Sequence, residues 1–404
     1  MKIRSRMLAL ALAGAMSLSL AACGTTPKTA GPTLLPDHKT DVVKQLSGVA
    51  GKTPMLTMGG DSITAEQFYY FLSANILDYQ NFLAQYGQQM DWAQESEGKT
   101  MADYMLEVSR KTALSYLFVH NKAKEMGIEL TADQLKELET IRSQVITQMG
   151  GEDKYANALE AIAVNDSTLF WINSTNTLSA AIQEAYFKEE GDGVNEKITK
   201  FVADKDLLIS KHILYMTVDP ATGEPLDDTA KAASKAKAED AAKRLAAAED
   251  PIALFDTIMN AESEDSGLAA NPDGYVYTKD EMVPIFESTT RALEFGKISE
   301  IVESDFGYHI ILRLDPLQNK DIKNQYFTSV MTQWTDEAVT AGVTESPEYA
   351  KVDPQAYFEA YAAYQQEIAA KQKAEADAAA SPSASPKTSP ETAPEPSPSA
   401  SPAA

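Results

Sequence analysis

Apolar residues recur every three or four positions through the first half of the chain, which is the spacing of an amphipathic helix. The clearest series is Phe68, Leu72, Ile76, Tyr79 and Leu83. Similar series predict helices over about 101–126 and 131–149, and a further one from Asp166 towards Phe187. A short strand at 55–58 precedes the first of them, so the region from 54 to about 200 is predicted to be mostly helical.

Polar residues at the expected helix starts support these boundaries. Thr64 and Gln67 have the spacing of a capping box, and so do Thr131 and Gln134,. Asp166 is predicted to cap the fourth helix, because a short acidic side chain at that position can accept bonds from free backbone N–H groups.

The pattern changes near residue 206, where β-rich runs alternate with an alanine-rich helical segment. We predict strands at 207–216, 275–277 and 308–314, and a helix at about 229–248. This mixture has the size of an ordinary compact domain. Helical spacing resumes beyond Pro316, and we expect those helices to pack back on the N-terminal ones. The mixed domain would then be an insert in one helical body.

The N-terminus carries a pattern of its own. A basic start is followed by an apolar stretch, Met7 to Leu20, that is too short to span a bilayer and is typical of a secretory signal,. It ends in Leu-Ala-Ala-Cys and resembles the bacterial lipoprotein signal, which implies that Cys23 becomes a lipidated N-terminus. The alternative is a simple secretory signal with an incidental free thiol. No other segment is long and apolar enough to cross a membrane.

Composition excludes several classes of function. The chain has 59 acidic against 35 basic residues, for a net charge of -24, which argues against binding to nucleic acid,. A single cysteine excludes an intrachain disulfide and sites built from several cysteines,. Only four histidines are present, and His38 and His120 lie in positions that are more often ordinary than functional,.

The other two histidines fall in predicted strands of the mixed domain, where alternation places each on one face,. If the strands are neighbours, His212 and His309 can hydrogen-bond each other. Together with segments between them, these strands resemble the parvulin family of peptidyl-prolyl isomerases over about 206–316. The matching segments are His212-Ile213-Leu214, Ser263-Glu264-Asp265-Ser266, the pair Met282 and Phe286, Ala292 to Ser299, and Phe306 to Ile311.

The resemblance implies roles for eight residues. The catalytic ones would be His212, Asp265, His309 and Ser304, and the substrate-binding ones Met282, Phe286, Tyr275 and Phe306. Neither a metal nor another cofactor is implied, although His212, His309 and Asp265 could bind a metal instead. The loop 217–228 contains no Lys or Arg, so specificity for phosphorylated Ser-Pro or Thr-Pro is not expected,.

The whole layout resembles the lipid-anchored extracytoplasmic foldases of the PrsA and SurA type. It implies an α+β chain in which a parvulin-like domain with a small antiparallel sheet is inserted in a helical, chaperone-like domain. The predicted segments are a signal peptide at 1–22, a tether at 23–53, the first helical part at 54–204, the parvulin-like domain at 205–317, helices that pack on the first part at 318–371, and a disordered Pro, Ser and Ala-rich tail at 372–404.

These features predict an isomerase that helps exported proteins fold by acting on their X–Pro segments, held on the outer face of the cell membrane by its lipid. One alternative is a holdase chaperone with a weak or inactive parvulin domain, whose clients lie in a helical cleft. Another is an anchored structural or adhesive protein. Activity of the 205–317 segment on a peptide would separate the first hypothesis from both others.

Overall fold

The structure is a computed structural model that describes residues 32–96 and 98–380. The predicted signal peptide, Cys23 and the part of the predicted tail beyond Ala380 lie outside the described residues. Within the described ranges, no helix is long and apolar enough to cross a membrane.

The first part of the chain folds as a helical body with two small hairpins. Its elements are α1 (Val42–Ser47), β1 (Pro54–Met58), β2 (Asp61–Thr64), α2 (Ala65–Gln85), β3 (Glu95–Ser96), β4 (Lys99–Thr100), α3 (Met101–Glu125), α4 (Ala132–Met149), α5 (Glu152–Ala161), α6 (Asp166–Glu190) and α7 (Gly193–Asp204). The capping boxes predicted at Thr64 and Thr131 are confirmed, and Thr100 forms a third.

The predicted cap of α6 was wrong by one residue. Asn165 occupies the N-cap position, and Asp166 is the first helical residue. The Asp166 carboxylate is buried and accepts hydrogen bonds from Arg142, Tyr155 and the backbone N–H of Leu35. Its side chain therefore serves tertiary packing rather than the helix start.

The predicted tether at 23–53 was also wrong for its second half. Residues 42–47 form α1, and Val42 and Val43 are buried in the same core as Phe68. The helix is capped by Asp41, whose carboxylate accepts from the N–H of Lys44. Two adjacent valines in a polar sequence are enough to dock this segment, because each removes apolar surface from water.

The mixed region forms one antiparallel sheet with helices on both faces. Its elements are β5 (Leu208–Met216), α8 (Asp228–Ala247), α9 (Pro251–Glu262), β6 (Tyr275–Tyr277), α10 (Pro284–Ala292), β7 (Val302–Ser304) and β8 (Gly307–Arg313). The strand order is β6-β5-β8-β7. One face packs on α8 and α9 through Ile213, Ile310 and Phe255. The other packs on α10 through Ile311 and Phe286.

The last part of the chain returns to the helical body. It consists of α11 (Lys320–Ala341), β9 (Thr344–Glu345), a 3-10 turn (Tyr349–Lys351) and α12 (Pro354–Ala380). β9 pairs with β1, so the two distant segments share one sheet. Tyr357 of α12 packs on Tyr69 of α2, with ring centroids 4.2 Å apart. The predicted α+β class, with a small antiparallel sheet set between helical segments, is confirmed.

The predicted tail boundary at 372 was too early. α12 continues to Ala380, because its last two turns are dominated by alanine, the residue with the highest helix propensity,. Its packing ends earlier: Ile368 is the last of its side chains packed against the core, and the residues from Ala369 to 374 are exposed.

Candidate active site

The pairing register of β5 and β8 brings the two strand histidines together. His212 lies opposite Ile311, and Leu214 lies opposite His309. The two histidines are therefore diagonal neighbours on one face of the sheet, within reach of each other's side chains. Their Nδ1 atoms are 3.0 Å apart, and the ring planes differ by 14°. Such a nearly coplanar arrangement is that of a direct hydrogen bond between the rings.

The two imidazoles belong to a longer hydrogen-bonded chain of side chains, which begins with a carboxylate beside His212. Asp265, in the loop between α9 and β6, places Oδ2 3.0 Å from Nε2 of His212. The same Oδ2 accepts from the Tyr275 hydroxyl at 2.6 Å, and Oδ1 accepts from the N–H of Gly267 at 3.0 Å. Asp265 is thus fixed by three donors, one of which is a strand residue of β6.

A hydroxyl forms the other end of this hydrogen-bonded chain, beside His309. Ser304, at the end of β7, lies with Oγ 2.7 Å from Nε2 of His309. Its Oγ also accepts from the N–H of Phe306 at 3.1 Å. Because the Ser304 oxygen already accepts from the backbone, its proton is free to be donated to His309.

The donors and acceptors form one consistent direction when both imidazoles are neutral. Ser304 donates to His309, His309 donates through Nδ1–H to His212, and His212 donates through Nε2–H to Asp265. The carboxylate of Asp265, which can only accept when it is ionised, is the last acceptor in this series of hydrogen bonds. Each proton then has one acceptor, so the chain fixes one tautomer for each ring. Such directed networks polarise their members.

Burial and hydrogen bonding shift the pKa values of several side chains in this site. Burial, aided by the neighbouring His212, lowers the pKa of His309 to about 4, which keeps its imidazole neutral. Burial alone would raise the pKa of Asp265, but the hydrogen bonds from His212, Tyr275 and Gly267 outweigh it and hold that pKa well below its usual range. Burial, then the bond to Asp265, raises the pKa of the Tyr275 hydroxyl.

An aromatic ring stands on both imidazoles. Phe286 of α10 lies edge-to-face against His212 and against His309, with centroid distances of 5.2 and 5.5 Å. Met282 is half-buried in the same apolar cluster. The site therefore combines a polar floor with an apolar wall, which suits a ligand having one greasy ring and one polar bond.

The structure places seven of the eight predicted site residues around this floor, and it sets one apart. Phe306 contributes its backbone to Ser304, while its ring is 50% exposed at the edge. Tyr275, predicted to contact substrate, instead uses its hydroxyl to hold Asp265. Among residues 32–96 and 98–380, no group of three or more His, Cys, Asp or Glu side chains is arranged to hold a metal ion.

Two glycines that the sequence did not single out make this geometry possible. A Cβ on Gly267 would collide with the Tyr275 hydroxyl, so only glycine lets that hydroxyl reach Asp265. Gly307 has φ +148°, and a Cβ there would collide with the carbonyl oxygen of Tyr215. The close approach of β8 to β5, and with it the pairing of the histidines, requires that position to be glycine. The feature that could have pointed to Gly307 is its position at the tight turn between the paired strands β7 and β8.

Comparison with known proteins identifies the domain. Residues 212–315 match the Rotamase family model, described as the PPIC-type PPIase domain. The Foldase protein PrsA of Staphylococcus aureus (strain Newman) is 28% identical over 221 residues, which cover 52% of this chain and 62% of that protein. The chain thus spans about three fifths of the length of this curated relative.

Solved structures add fold-level likenesses only. TbPIN1 is 27% identical and is matched over 98% of its length by 27% of this chain, with a TM-score of 0.23. PrsA from Bacillus subtilis is 20% identical over 62% of this chain and 86% of that one, with a TM-score of 0.28. At TM-scores this low neither likeness bears on function, and the assignment rests on the sequence match. The segment from 212 to 315 is therefore a PPIC-type peptidyl-prolyl isomerase domain of the parvulin kind, in a chain similar to the PrsA foldases.

Proposed function

We propose that this protein is a peptidyl-prolyl cis-trans isomerase that acts on X–Pro bonds of exported proteins. The observation that carries the proposal is the unbroken hydrogen-bonded chain from Ser304 through His309 and His212 to Asp265, lying under the ring of Phe286. An ordinary core histidine needs one satisfied partner. Here two imidazoles, a carboxylate and a hydroxyl are combined at an apolar wall.

The chemistry asks for no covalent step. Rotation about an X–Pro bond faces a barrier of roughly 20 kcal/mol that comes from amide resonance. A catalyst must bind the twisted amide better than the planar one. Phe286 and Met282 would grip the proline ring, which leaves the preceding carbonyl to turn above the polar floor.

Asp265 is suited to favour that turning. In the planar amide, resonance places negative partial charge on the carbonyl oxygen, and twisting the bond reduces that charge. An ionised carboxylate beside the oxygen raises the energy of the planar form relative to the twisted one. The low pKa of Asp265 keeps it ionised, and the hydrogen bond from His212, which is held in turn by His309, keeps the carboxylate in place.

A peptide assay tests the proposal. Turnover of a short chromogenic X–Pro peptide by the wild type is compared with Asp265→Ala and His309→Ala, both expected to lose tenfold or more, about 1.4 kcal/mol in barrier. His120→Ala is the matched control. His120 is half-buried, and burial lowers its pKa to about 4, but it stacks on Trp171 in the helical body. Equal turnover in all four proteins would contradict the proposal.

The cellular setting is part of the same proposal. The apolar N-terminal signal, the Leu-Ala-Ala-Cys ending at Cys23 and the likeness to PrsA support a foldase held by lipid on the outer face of the cell membrane. Cys23→Ala is expected to abolish incorporation of labelled palmitate and to release the protein from the membrane fraction. Retention of both label and membrane association in that variant would argue against the anchor.

A second activity, holding of unfolded clients, is favoured by an aromatic surface on the helical body. Phe82, Tyr86 and Tyr104 are 50%, 68% and 47% exposed. The ring of Tyr79 contacts those of Phe82 and Tyr104, with centroids 6.4 and 6.1 Å apart, and Phe82 contacts Tyr86 at 5.2 Å. Exposed aromatic clusters of this kind mark interaction sites. Phe82→Ser with Tyr86→Ser should weaken suppression of client aggregation and leave peptide isomerisation unchanged.

A further inference from the structure

The sequence beyond Ala380 is rich in the bond that the site is proposed to act on. Residues 381–404 contain seven prolines, and six of them recur at a strict interval of four. Five are preceded by serine, one by alanine and one by Glu395. We propose that this tail is a tethered substrate of the His212–His309 site in the same molecule and competes there with clients. The inference rests on the proposed isomerase function and names one substrate of that site.

The rim of the site suits a neutral residue before proline. The N–H of Thr217 donates to the carbonyl of Phe306 at 2.9 Å, which sets the loop 217–228 beside the site. That loop has four acidic residues and no Lys or Arg. Like charges repel, so Ser–Pro and Ala–Pro bonds should be accepted and Glu395–Pro396 should be the poorest.

The extended length of the tail exceeds the diameter of a compact body of this size. In an extended polyproline conformation, 24 residues would span roughly 75 Å. A folded body of about 350 residues has a radius of gyration of about 20 Å, hence a diameter of about 50 Å. The tail also follows a part of α12 that is not packed on the core, since residues 369–374 are exposed.

Because the tail is covalently joined to the domain that would bind it, even weak binding of the tail can occupy the site. In general, a ligand joined to its site by a short flexible linker has an effective concentration on the order of millimolar. Several X–Pro bonds in one tail multiply the chances of occupancy without any new contact. A client peptide must therefore displace the tail, which raises its apparent KM.

Exchange spectroscopy tests the inference directly on the chain lacking only residues 1–22. Uncatalysed X–Pro isomerisation takes tens to hundreds of seconds. In the wild type we expect exchange cross-peaks for the tail prolines on the subsecond scale, weakest at Glu395–Pro396. His309→Ala should abolish them, whereas His120→Ala should retain them. A free peptide of residues 381–404 at equal concentration should exchange more slowly.

Competition provides an independent measurement. Ending the chain at Ala380 should lower the KM for a short X–Pro peptide by roughly twofold or more, as expected when a millimolar competitor is removed. Replacing all seven tail prolines by alanine keeps length and charge, and it should relieve KM equally. Relief by deletion but not by the proline replacement would overturn the inference, since bulk or charge would then be the cause.

The failures are distinguishable. If the short peptide is turned over but the tail shows no accelerated exchange, the inference falls and the isomerase function stands. If neither is turned over, the proposed function fails, and the tail proposal fails with it.

Discussion

Two aspartates each accept a hydrogen bond from a tyrosine hydroxyl but differ in function: Asp166 is buried in the helical body, and Asp265 is half-buried in the parvulin-type domain. Asp166 accepts from the Tyr155 hydroxyl at 2.7 Å, and Asp265 accepts from the Tyr275 hydroxyl at 2.6 Å. Both carboxyls have a pKa below the usual range although burial opposes it. Tyrosine contacts and titration therefore do not tell them apart.

The other side chain bonded to each carboxylate does distinguish the two aspartates. Asp166 is clamped by the guanidinium of Arg142, with Nε 3.0 Å and Nη2 2.5 Å from Oδ2, and its side chain is 1% exposed. Asp265 meets the imidazole of His212 instead, at 3.0 Å, and its side chain is 14% exposed. A fixed cation neutralises a carboxylate and uses up its lone pairs, whereas an imidazole leaves its charge to act on a visiting group. The second arrangement is chemically available and the first is not.

Removing the two carboxylates should separate these tasks most clearly. Asp166→Ala leaves the largely buried Arg142 with Glu139 alone and removes the acceptor of Tyr155 and of the Leu35 N–H, so we expect a loss of about 3–5 kcal/mol in the free energy of unfolding,. Asp265→Ala leaves His212, Tyr275 and the N–H of Gly267 without their acceptor and should cost about 1–3 kcal/mol,. Urea unfolding of both variants measures the difference. A larger loss for Asp265→Ala would break the comparison.

Acid should disturb the Asp265 site before the Asp166 site. The pKa of His309 is about 4 in the folded protein and 6.5 in an unfolded chain,. The unfolded state therefore binds more protons between these values, and stability present above pH 6.5 is lost as the pH falls towards 4. The full effect is roughly 3 kcal/mol. The Asp166–Arg142 pair should hold until the pH falls below the ordinary carboxyl range.

Unfolding free energies at pH 7, 5.5 and 4.5 check this. The slope should decrease in His309→Gln, and by a similar amount in His120→Gln, since burial lowers both pKa values to about 4. Only His309→Gln should also change the pH profile of peptide turnover. Identical slopes in wild type and His309→Gln would contradict the assignment.

The two tyrosines give a matched pair of smaller changes. Tyr155→Phe and Tyr275→Phe each delete one hydrogen bond to a carboxylate and should cost about 1.5–3 kcal/mol of stability. Only Tyr275→Phe should change turnover, because its hydroxyl orients Asp265. If Tyr155→Phe reduced kcat in the folded protein as much, the body would have to be coupled to the site.

Gly267→Ala tests the same hydrogen bond without changing either of its partners. The added methyl group collides with the Tyr275 hydroxyl and displaces it from Asp265. Because the bond lost is the one lost in Tyr275→Phe, we expect a similar loss of about 1.5–3 kcal/mol in stability and a several-fold loss in kcat/KM. Turnover equal to wild type would show that Tyr275 does not position Asp265.

The strand histidines and Asp166 show what the sequence could and could not predict. Strand alternation placed each of His212 and His309 on one face of its own strand, because that periodicity is local, but the pairing of β5 with β8 that brings them together was left conditional. The partners of Asp166 were not predictable: Arg142 lies 24 residues away and the N–H of Leu35 lies 131 away, and helix rules favoured a cap instead. Asn165 occupies the N-cap position without a capping bond from its side chain, so helix-start rules did not single it out.

The bond from Tyr275 to Asp265 was missed for a related reason. It depends on Gly267 having no side chain, which is a three-dimensional collision rather than a pattern. Helices α9 and α10 were also missed, since each is short and starts at a proline that equally suits a turn,.

The bond from the N–H of Leu35 to Asp166 limits how far the folded body could lie from the proposed lipid anchor. Because the backbone is held to the body there, only about a dozen residues separate that point from Cys23, and they span at most roughly 40 Å. A lipid on Cys23, as proposed, would hold the folded mass within that distance of the bilayer. A protein acting as the proposed foldase would then meet exported chains in a thin layer at the cell surface rather than in the volume beyond.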